Sequence, residues 1–380
     1  MEIRDLTPDD LDGVLDIRKR SFGVLSAADR EQWRKTVLPQ LEAGRYLGAF
    51  DGARIAAAAR LRGFTQWWHG RPQPMAGVAG VTVNPEDRGR GIGGQIMRAV
   101  IERAAELGDA VSALYPATTP IYRGLGYEHA GAQLRVTIPA DALRAIRASN
   151  QVKLRRMGPD DAPELIALLG RLHAASHASG PISWDEHTWR LWLQEEDDFL
   201  YLADDGFVVY RWDGSDLEVD NLVAGSPDTA AALWSLVGSS SSIAKNVVAC
   251  LAPDDPVLWM LRERTRDAVT PVRWMFRIVD VPSAIARRGF PAGVTLDTVV
   301  EVVDPVRQAN TGAWHLTVSD GVGTATPSSE QGTRLTLNGL SALYAGVPTA
   351  TLRVAGMLSG PADEALDAAF AAKPYMLDYF

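Results

Sequence analysis

The residues from Gly77 to Gly94, Gly-Val-Ala-Gly-Val-Thr-Val-Asn-Pro-Glu-Asp-Arg-Gly-Arg-Gly-Ile-Gly-Gly, leave the chain few ways to fold. Small and β-branched residues predict a strand that runs to Val83, and Pro85 has no amide with which to continue a ladder. Gly89, Gly91, Gly93 and Gly94 then let successive backbone amides turn toward one point. Ile92, Ile96, Val100 and Ala104 repeat every four residues, with Met97 and Ile101 beside them, so the loop opens an amphipathic helix at its positive end. Together these features predict an anion site that fits a pyrophosphate.

Spacing narrows the kind of pyrophosphate. A dinucleotide fold requires G-x-G-x-x-G with an acid about 20 residues later, and a nucleoside triphosphate loop requires Gly-Lys-Ser/Thr. Neither is present. The order here is Arg88-x-x-Gly91-x-Gly93 after a strand-ending proline, which resembles the acetyl-coenzyme A loop of the GNAT superfamily of N-acetyltransferases. A glycine-rich turn without a ligand is the alternative reading.

At 380 residues the chain exceeds one ordinary core and predicts two or three domains. No apolar run approaches the roughly 18 residues of a membrane span, and the charged start at Met1 to Asp5 predicts a soluble, cytoplasmic protein. The single cysteine, Cys250, excludes an internal disulfide or a cysteine metal cluster, and its apolar run Val247 to Leu251 predicts a buried structural thiol. His173 and His177 are four residues apart without a third ligand nearby, which predicts a solvated pair and no metal site. A formal charge of −9 argues against a nucleic-acid groove and is compatible with a cationic substrate.

The chain also repeats itself. Ile3 to Asp10 recurs as Leu154 to Asp161, each a short strand entering a helix through Pro-Asp-Asp. Tyr46 to Gly52 is echoed by Tyr201 to Gly206, a strand entering an Asp-Gly turn. Val219 to Gly225 then stands where the loop-bearing strand belongs, but the helix after it lacks the arginine and glycines. Beyond Val281 the pattern changes to a short helix at 281–288, strands at 313–318, 323–326 and 334–337, and helices at 340–345 and 362–371.

A loaded acetyltransferase fold, an unloaded copy and a small α+β tail ending in an aromatic residue resemble the Eis (enhanced intracellular survival) family of GNAT acetyltransferases. The residues that carry this likeness are Ala76 to Gly94, Ile121 to Tyr127, Trp274 to Asp280 and Pro374 to Phe380. It implies a mixed α/β and α+β chain of three parts: a GNAT domain over 1–150 with the acetyl-coenzyme A site, a degenerate GNAT-like domain over 151–280, and a sterol-carrier-protein-like α+β domain over 281–380. It also implies a homo-hexamer with no membrane span.

Transfer of an acetyl group from a thioester to an amine requires a coenzyme site, a base for the amine and an acid for the thiolate. Backbone amides of Arg88, Gly89, Arg90, Gly91, Ile92, Gly93 and Gly94 are the expected pyrophosphate donors, with the Arg88 and Arg90 side chains as charge partners. The likeness implies that the strand edge at Val81, Thr82 and Val83 pairs with the pantetheine arm. It implies Tyr122 as the acid, a group whose ordinary pKa near ~10 keeps it protonated at neutral pH. Tyr127 is the competitor, in a position that reads as sheet packing. The likeness also implies the carboxylate of the last residue, Phe380, as the base. An α-carboxyl of ordinary pKa about 3.3–3.7 must be raised by desolvation or act through water.

Phe22, Trp33, Trp67 and Trp68 precede the coenzyme strand and are the expected acceptor pocket, since aromatic faces and acids attract amine cations. Each also suits a core. His69 is a possible relay or a loop residue without a role. The chain departs from the best-known family members in placing Tyr379, with Asp378 before it, where they have an acidic penultimate residue. The leading expectation is an N-acetyltransferase for primary amines of aminoglycoside-like polyamines, lysine or peptides. A lipid- or antibiotic-binding protein with a vestigial coenzyme site is the alternative. The sequence leaves open an acyl group longer than acetyl.

Overall fold

The repeat seen in sequence is a repeat in contacts. In a computed structural model, which describes residues 1–262 and 268–380, the first copy opens with strand β1 (Glu2–Asp5) and helix α1 (Leu11–Phe22). Arg4 pairs with Asp10 at 2.8 Å, and Asp10 accepts from the Thr7 amide at 2.8 Å. The second copy makes the same two contacts: Arg155 pairs with Asp161 at 2.8 Å, and Asp161 accepts from the Gly158 amide at 2.7 Å. The Arg4 guanidinium holds the Asp10 carboxyl down at about 2.

Helix α2 (Ala27–Glu42) leads to β2 (Tyr46–Asp51), then to the long hairpin β3 (Arg54–Trp68) and β4 (Arg71–Val83). Trp68 pairs with Arg71, so His69 and Gly70 form a two-residue turn. Their φ values of 46° and 76° suit the turn type that matches strand twist. Helix α3 (Ile92–Glu106) buries Ile92, Ile96, Met97, Val100, Ile101 and Ala104, the face read from the sequence. Its partner surface includes Ala57 and Ala59 of β3, while Ala58 meets the α1 side. Alanines on both faces let the helices approach the sheet closely. Each of the large, fully buried α3 side chains contributes about 1.5–3 kcal/mol. Strand β5 (Val111–Leu114), helix α4 (Thr119–Arg123) and strand β6 (Glu128–Pro139) complete the first copy.

The two copies do not sit side by side as separate sheets. The strand Ala268–Ile278, late in the second copy, enters between β5 and β6 of the first. It pairs antiparallel with β5 from Met275↔Leu114 to Ile278↔Val111, and with β6 from Ala268↔Thr137 to Phe276↔Glu128. One 13-stranded sheet results. The tail domain has its own five-stranded sheet, which includes Leu296–Val303, unread in the sequence, beside the hairpin Gly312–Ser319 and Val322–Ser328.

Two buried arginines fasten the tail domain. Arg277 and Asp304 are fully buried and bonded at 2.9 and 2.7 Å. Arg288, without a carboxylate among the described residues, donates to the carbonyls of Gly289, Tyr344 and Phe370 and packs among the rings of Phe290, Tyr344 and Phe370. Among the described residues, no helix is long and apolar enough to cross a membrane.

Candidate active site

Strand β4 is held on both sides only at its start. It pairs in parallel with β5 at Met75↔Val111, Ala76↔Ser112 and Gly77↔Ala113, and there that ladder ends. Against β3, the register advances two residues on β3 (Arg60 to Ala58) while β4 advances three (Ala79 to Thr82). The extra residue lies at Gly80, whose φ of 59° marks a bulge that bends β4. The edge from Val78 to Val83 therefore has no strand partner on the β5 side among the described residues.

The open edge runs into the glycine loop. Gly89 and Gly91 have φ of 75° and 76°, and a Cβ at Gly89, Gly91 or Gly94 would meet nothing within 4 Å. Gly91 caps α3 without a side-chain hydrogen bond, so its first-turn amides face open space. A Cβ at Gly93 would lie 3.2 Å from the Ile121 side chain, which brings α4 against the loop. The cradle thus fits a pyrophosphate.

The arginines divide their roles. Arg90 is committed to Asp87 at 2.5 Å, with Asp51 at 3.8 Å. Asp87 in turn is held by Arg54 at 2.6 Å, a bond that keeps its carboxyl below the ordinary range. Arg90 therefore braces the loop and is not a free charge partner, while Arg88 is exposed and among the described residues its side chain meets only the Val83 carbonyl at 3.4 Å.

Tyr122, on α4, is 8% exposed, and its hydroxyl has no hydrogen-bond partner among the described residues. Burial pushes its phenol up, so it holds its proton at neutral pH. Tyr127 is fully buried and bonded to Ser112 Oγ at 2.8 Å, and burial pushes it to about 12. Its hydroxyl belongs to the core.

The end of the chain reaches the same place. The Tyr375 amide donates to the Ser179 carbonyl at 3.0 Å, Gln133 donates to the Leu377 carbonyl, and Tyr115 donates to the Asp378 carbonyl at 3.0 Å. The Phe380 ring lies 4.8 Å from Phe64 and 5.7 Å from Tyr115. A Cβ on Gly77 would come within 2.8 Å of that ring. Phe380 thus sits where β4 and β5 part.

Beside this segment is a cavity of about 550 Å³ lined by Trp189, Trp192, Leu377 and Tyr379. Glu195, Asp198, Asp220 and Asp378 face Arg135 and Arg211 in it, so carboxylates outnumber guanidinium groups. Cys250, buried as expected, also lines it. Asp378 accepts from the Trp184 indole at 2.8 Å, and burial pushes its carboxyl up to about 6.

The aromatic residues expected for an acceptor do not line this cavity. Trp68 is fully buried with Trp274, Phe276 and Tyr344 around its ring, and its indole donates to Gln66 at 2.8 Å, which corrects the expectation for this residue. Trp67, 5% exposed, packs at 5.0 Å on His173, a second correction. Both sit at the end of β3, where the hairpin register turns them into the core. Phe22 ends α1 and is 57% exposed, and Trp33 is half-buried on α2 against the α1 side of the sheet. His173, expected in solvent, is buried, and burial pushes it down to about 4. Phe64, Trp184 and Trp192 were missed because no local motif marks them, and Asp378 was read only as the acid before Tyr379. Among the described residues, no group of three or more His, Cys, Asp or Glu is placed to hold a metal ion.

Asp378 gives the site a pH signature. Folding raises its pKa from 3.8 to about 6, so the folded chain keeps a proton that the unfolded chain has released between those values. Stability contributed by this group falls as pH rises from about 4 to about 6 and stays lost above. Asp378→Asn keeps an oxygen for Trp184 without the ionisation. We expect it to exceed the parent by on the order of 2 kcal/mol near pH 8, with the gap closing below about pH 4. Urea midpoints at both pH values measure this, and an equal gap at the two would refute it.

The arrangement has relatives. Two acetyltransferase (GNAT) domain families match residues 2–130 and 180–278, and a sterol carrier protein domain family matches residues 281–377. The chain is 30% identical over 327 residues to N-acetyltransferase Eis of Mycobacterium tuberculosis, covering 78% of this chain and 78% of that protein. It is 28% identical over 344 residues to an uncharacterized N-acetyltransferase of Streptomyces avermitilis, covering 80% and 79%. A crystal structure of a GCN5-related N-acetyltransferase from Kribbella flavida superposes with a TM-score of 0.95 at 48% identity, covering 100% of this chain and 98% of that one. Eis1 from Mycobacterium abscessus, at 23% identity over all of both chains, shares the fold with a TM-score of 0.78. With its glycine cradle at the parting of β4 and β5, the chain belongs to the Eis family of N-acetyltransferases: an acetyltransferase with two GNAT domains and a sterol-carrier-protein-like domain.

Proposed function

We propose that the chain transfers an acetyl group from acetyl-coenzyme A to a primary amine of a polycationic small molecule, such as an aminoglycoside-like polyamine, or of a lysine or peptide. The observation that carries this reading is the unpaired β4 edge, which runs from the Phe380 ring at Gly77 to the open glycine cradle at Gly89 to Gly94. Acetyl-coenzyme A would supply, when bound, the activated acyl thioester. Amides of Arg88 to Gly94 hold its pyrophosphate, and Val81, Thr82 and Val83 offer the edge for its arm. Tyr122 donates its proton to the departing sulfur. Its burial and its hydroxyl's lack of a partner support that role. The Phe380 carboxylate accepts the proton of the amine. In the neighbouring cavity Asp198 and Asp220 are engaged by Arg211, but Glu195 and Asp378 form no ion pair among the described residues, and together with Trp189 and Trp192 they favour a cationic acceptor.

A second reading of the base has its own support. The Asp378 carboxyl, at about 6, is better matched to proton transfer near neutral pH than an ordinary α-carboxyl. The two readings separate by variant. Extending the chain beyond Phe380 lowers turnover under the first reading and leaves it intact under the second, where Asp378→Asn abolishes it.

Thiol release from acetyl-coenzyme A against aminoglycosides, simple polyamines, lysine peptides and amino acids tests the activity. Release with several cationic amines is the expected result, and none with any amine refutes the acceptor class. Tyr122→Phe should lower kcat by roughly 10²–10⁴ without loss of folding. Full activity in this variant ends the assignment of the acid. Gly94→Glu puts a carboxylate in the cradle at the third position of α3. Helix stability should rise by about 0.3–1 kcal/mol while coenzyme affinity drops at least tenfold, because the same dipole favours either anion. Unchanged affinity, read by calorimetry, would move the pyrophosphate elsewhere. A hexamer, which the family resemblance implies, is the expected assembly; light scattering at micromolar concentration checks it, a monomer being the contrary result.

A further inference from the structure

The second copy contains its own version of the cleft. Its strand Asp216–Ala224 pairs in parallel with Asn246–Leu251 at Leu217↔Val247, Glu218↔Val248 and Val219↔Ala249, after which that ladder stops. This is the three-pair pattern of β4 and β5. Beyond the parting lies a cavity of about 1240 Å³, bounded by Leu222 to Pro227, by Ala252 to Pro256 and by the tail domain. It thus lies at the second copy's counterpart of the coenzyme cleft.

The anion-binding apparatus is missing from this cleft. Ser226 replaces the glycine cap and fills the first turn of the helix Pro227–Gly238, its Oγ accepting from the Thr229 amide at 3.3 Å. The walls include Leu172, Leu222, Trp234, Leu343, Phe370 and Leu377. Asp255, 8% exposed, faces them. Its carboxylate accepts from the Val257 amide at 3.0 Å, and among the described residues it has no cationic partner. Lys373, at the rim, is engaged by Asp254 at 2.6 Å. His173 is held neutral by burial. His69 and His177, also in the lining, stack at 4.9 Å, and both take left-handed backbone with φ of 46° and 50°. The charge preference of the first cleft is therefore reversed: apolar walls with an uncompensated carboxylate in place of glycine amides.

We propose that this cavity is a second ligand site, separate from the acyl-transfer cleft, that takes an amphiphilic ammonium ion, its alkyl part along the apolar walls and its ammonium on Asp255. At about 1240 Å³ the space exceeds the roughly 300–1,000 Å³ of ordinary ligand pockets and so admits an alkyl chain of about ten carbons or a compact apolar amine. Tyr375 and Leu377, which line this cavity, belong to the segment that ends at Phe380, and Leu377 lines the 550 Å³ cavity as well. The last residues of the chain are the partition between the two.

Calorimetric titration of the full chain, without coenzyme, with decylammonium, decanol and decanoate near pH 8 tests the site. Decylammonium should bind at least tenfold more tightly than decanol, and decanoate more weakly than either. Asp255→Asn should bring decylammonium down to the affinity of decanol. Ala252→Trp, on a half-buried loop residue of the lining, should weaken both at least tenfold, with folding checked by circular dichroism. Decanoate binding as tightly as decylammonium would overturn the proposal. So would unchanged decylammonium affinity in either variant. Loss of binding in Asp378→Asn instead of Asp255→Asn would assign the ammonium to the acceptor-side cavity and overturn it too. No arm depends on turnover, so failure here leaves the acyl-transfer reading standing, and failure of that reading leaves this one.

Discussion

The strand Ala268–Ile278 holds the molecule together. Among the described residues it is the one element that pairs with both β5 and β6, and without it the first copy's sheet would end at β5 with an exposed edge. It also fixes the tail domain, because Arg277 near its end meets Asp304 in a fully buried ion pair and donates to the Leu125 carbonyl. Removing either partner of such a pair leaves a charge buried alone, at a cost of about 3–5 kcal/mol. From this strand the chain passes directly into the tail domain, whose last residues return over β6 to the parting of β4 and β5. The reach of Phe380 is thus a consequence of where one strand of the second copy is inserted.

What the sequence revealed was local chemistry. A proline, four glycines and a four-residue apolar period lie within one stretch, and the loop and α3 follow from steric rules that operate over a few residues. The repeat was legible for the same reason, since Arg4 with Asp10 and Arg155 with Asp161 are each six residues apart. Trp67 and Trp68 were misread because adjacent strand residues point to opposite faces, and both faces of this hairpin are covered, one by His173 and the other by Trp274 and Phe276. Pairing of Trp184 with Asp378 spans 194 residues and leaves no local trace. Leu296–Val303 escaped notice because its neighbours in the sheet, not its own turns, define it.

The two clefts show how little has to change for one fold to reverse its ligand preference. Strand pairing and parting are the same in both copies, so the scaffold dictates a cleft and not its occupant. In the first copy, glycine at the helix cap leaves amides free for an anion. In the second, one serine satisfies an amide internally, and a carboxylate comes in from the loop after the paired strand. The family likeness of residues 180–278 therefore does not bring the glycine loop with it.

Buried carboxylates provide an independent guide to function in this chain. Asp87, Asp109 and Asp304 are nearly or fully buried, and each is met by an arginine at 2.6 to 2.8 Å. Asp255, buried, and Asp378, half-buried, are different: among the described residues neither forms an ion pair, and desolvation pushes each to about 6. An unpaired buried acid works against folding at neutral pH, so a chain built for stability alone would neutralise it, as it does elsewhere. The two exceptions line the two cavities, one on each side of the chain's last residues. A cation brought by a ligand would restore at either place the balance that arginine supplies in the core, and the protein would bind it with the free energy that folding left uncollected.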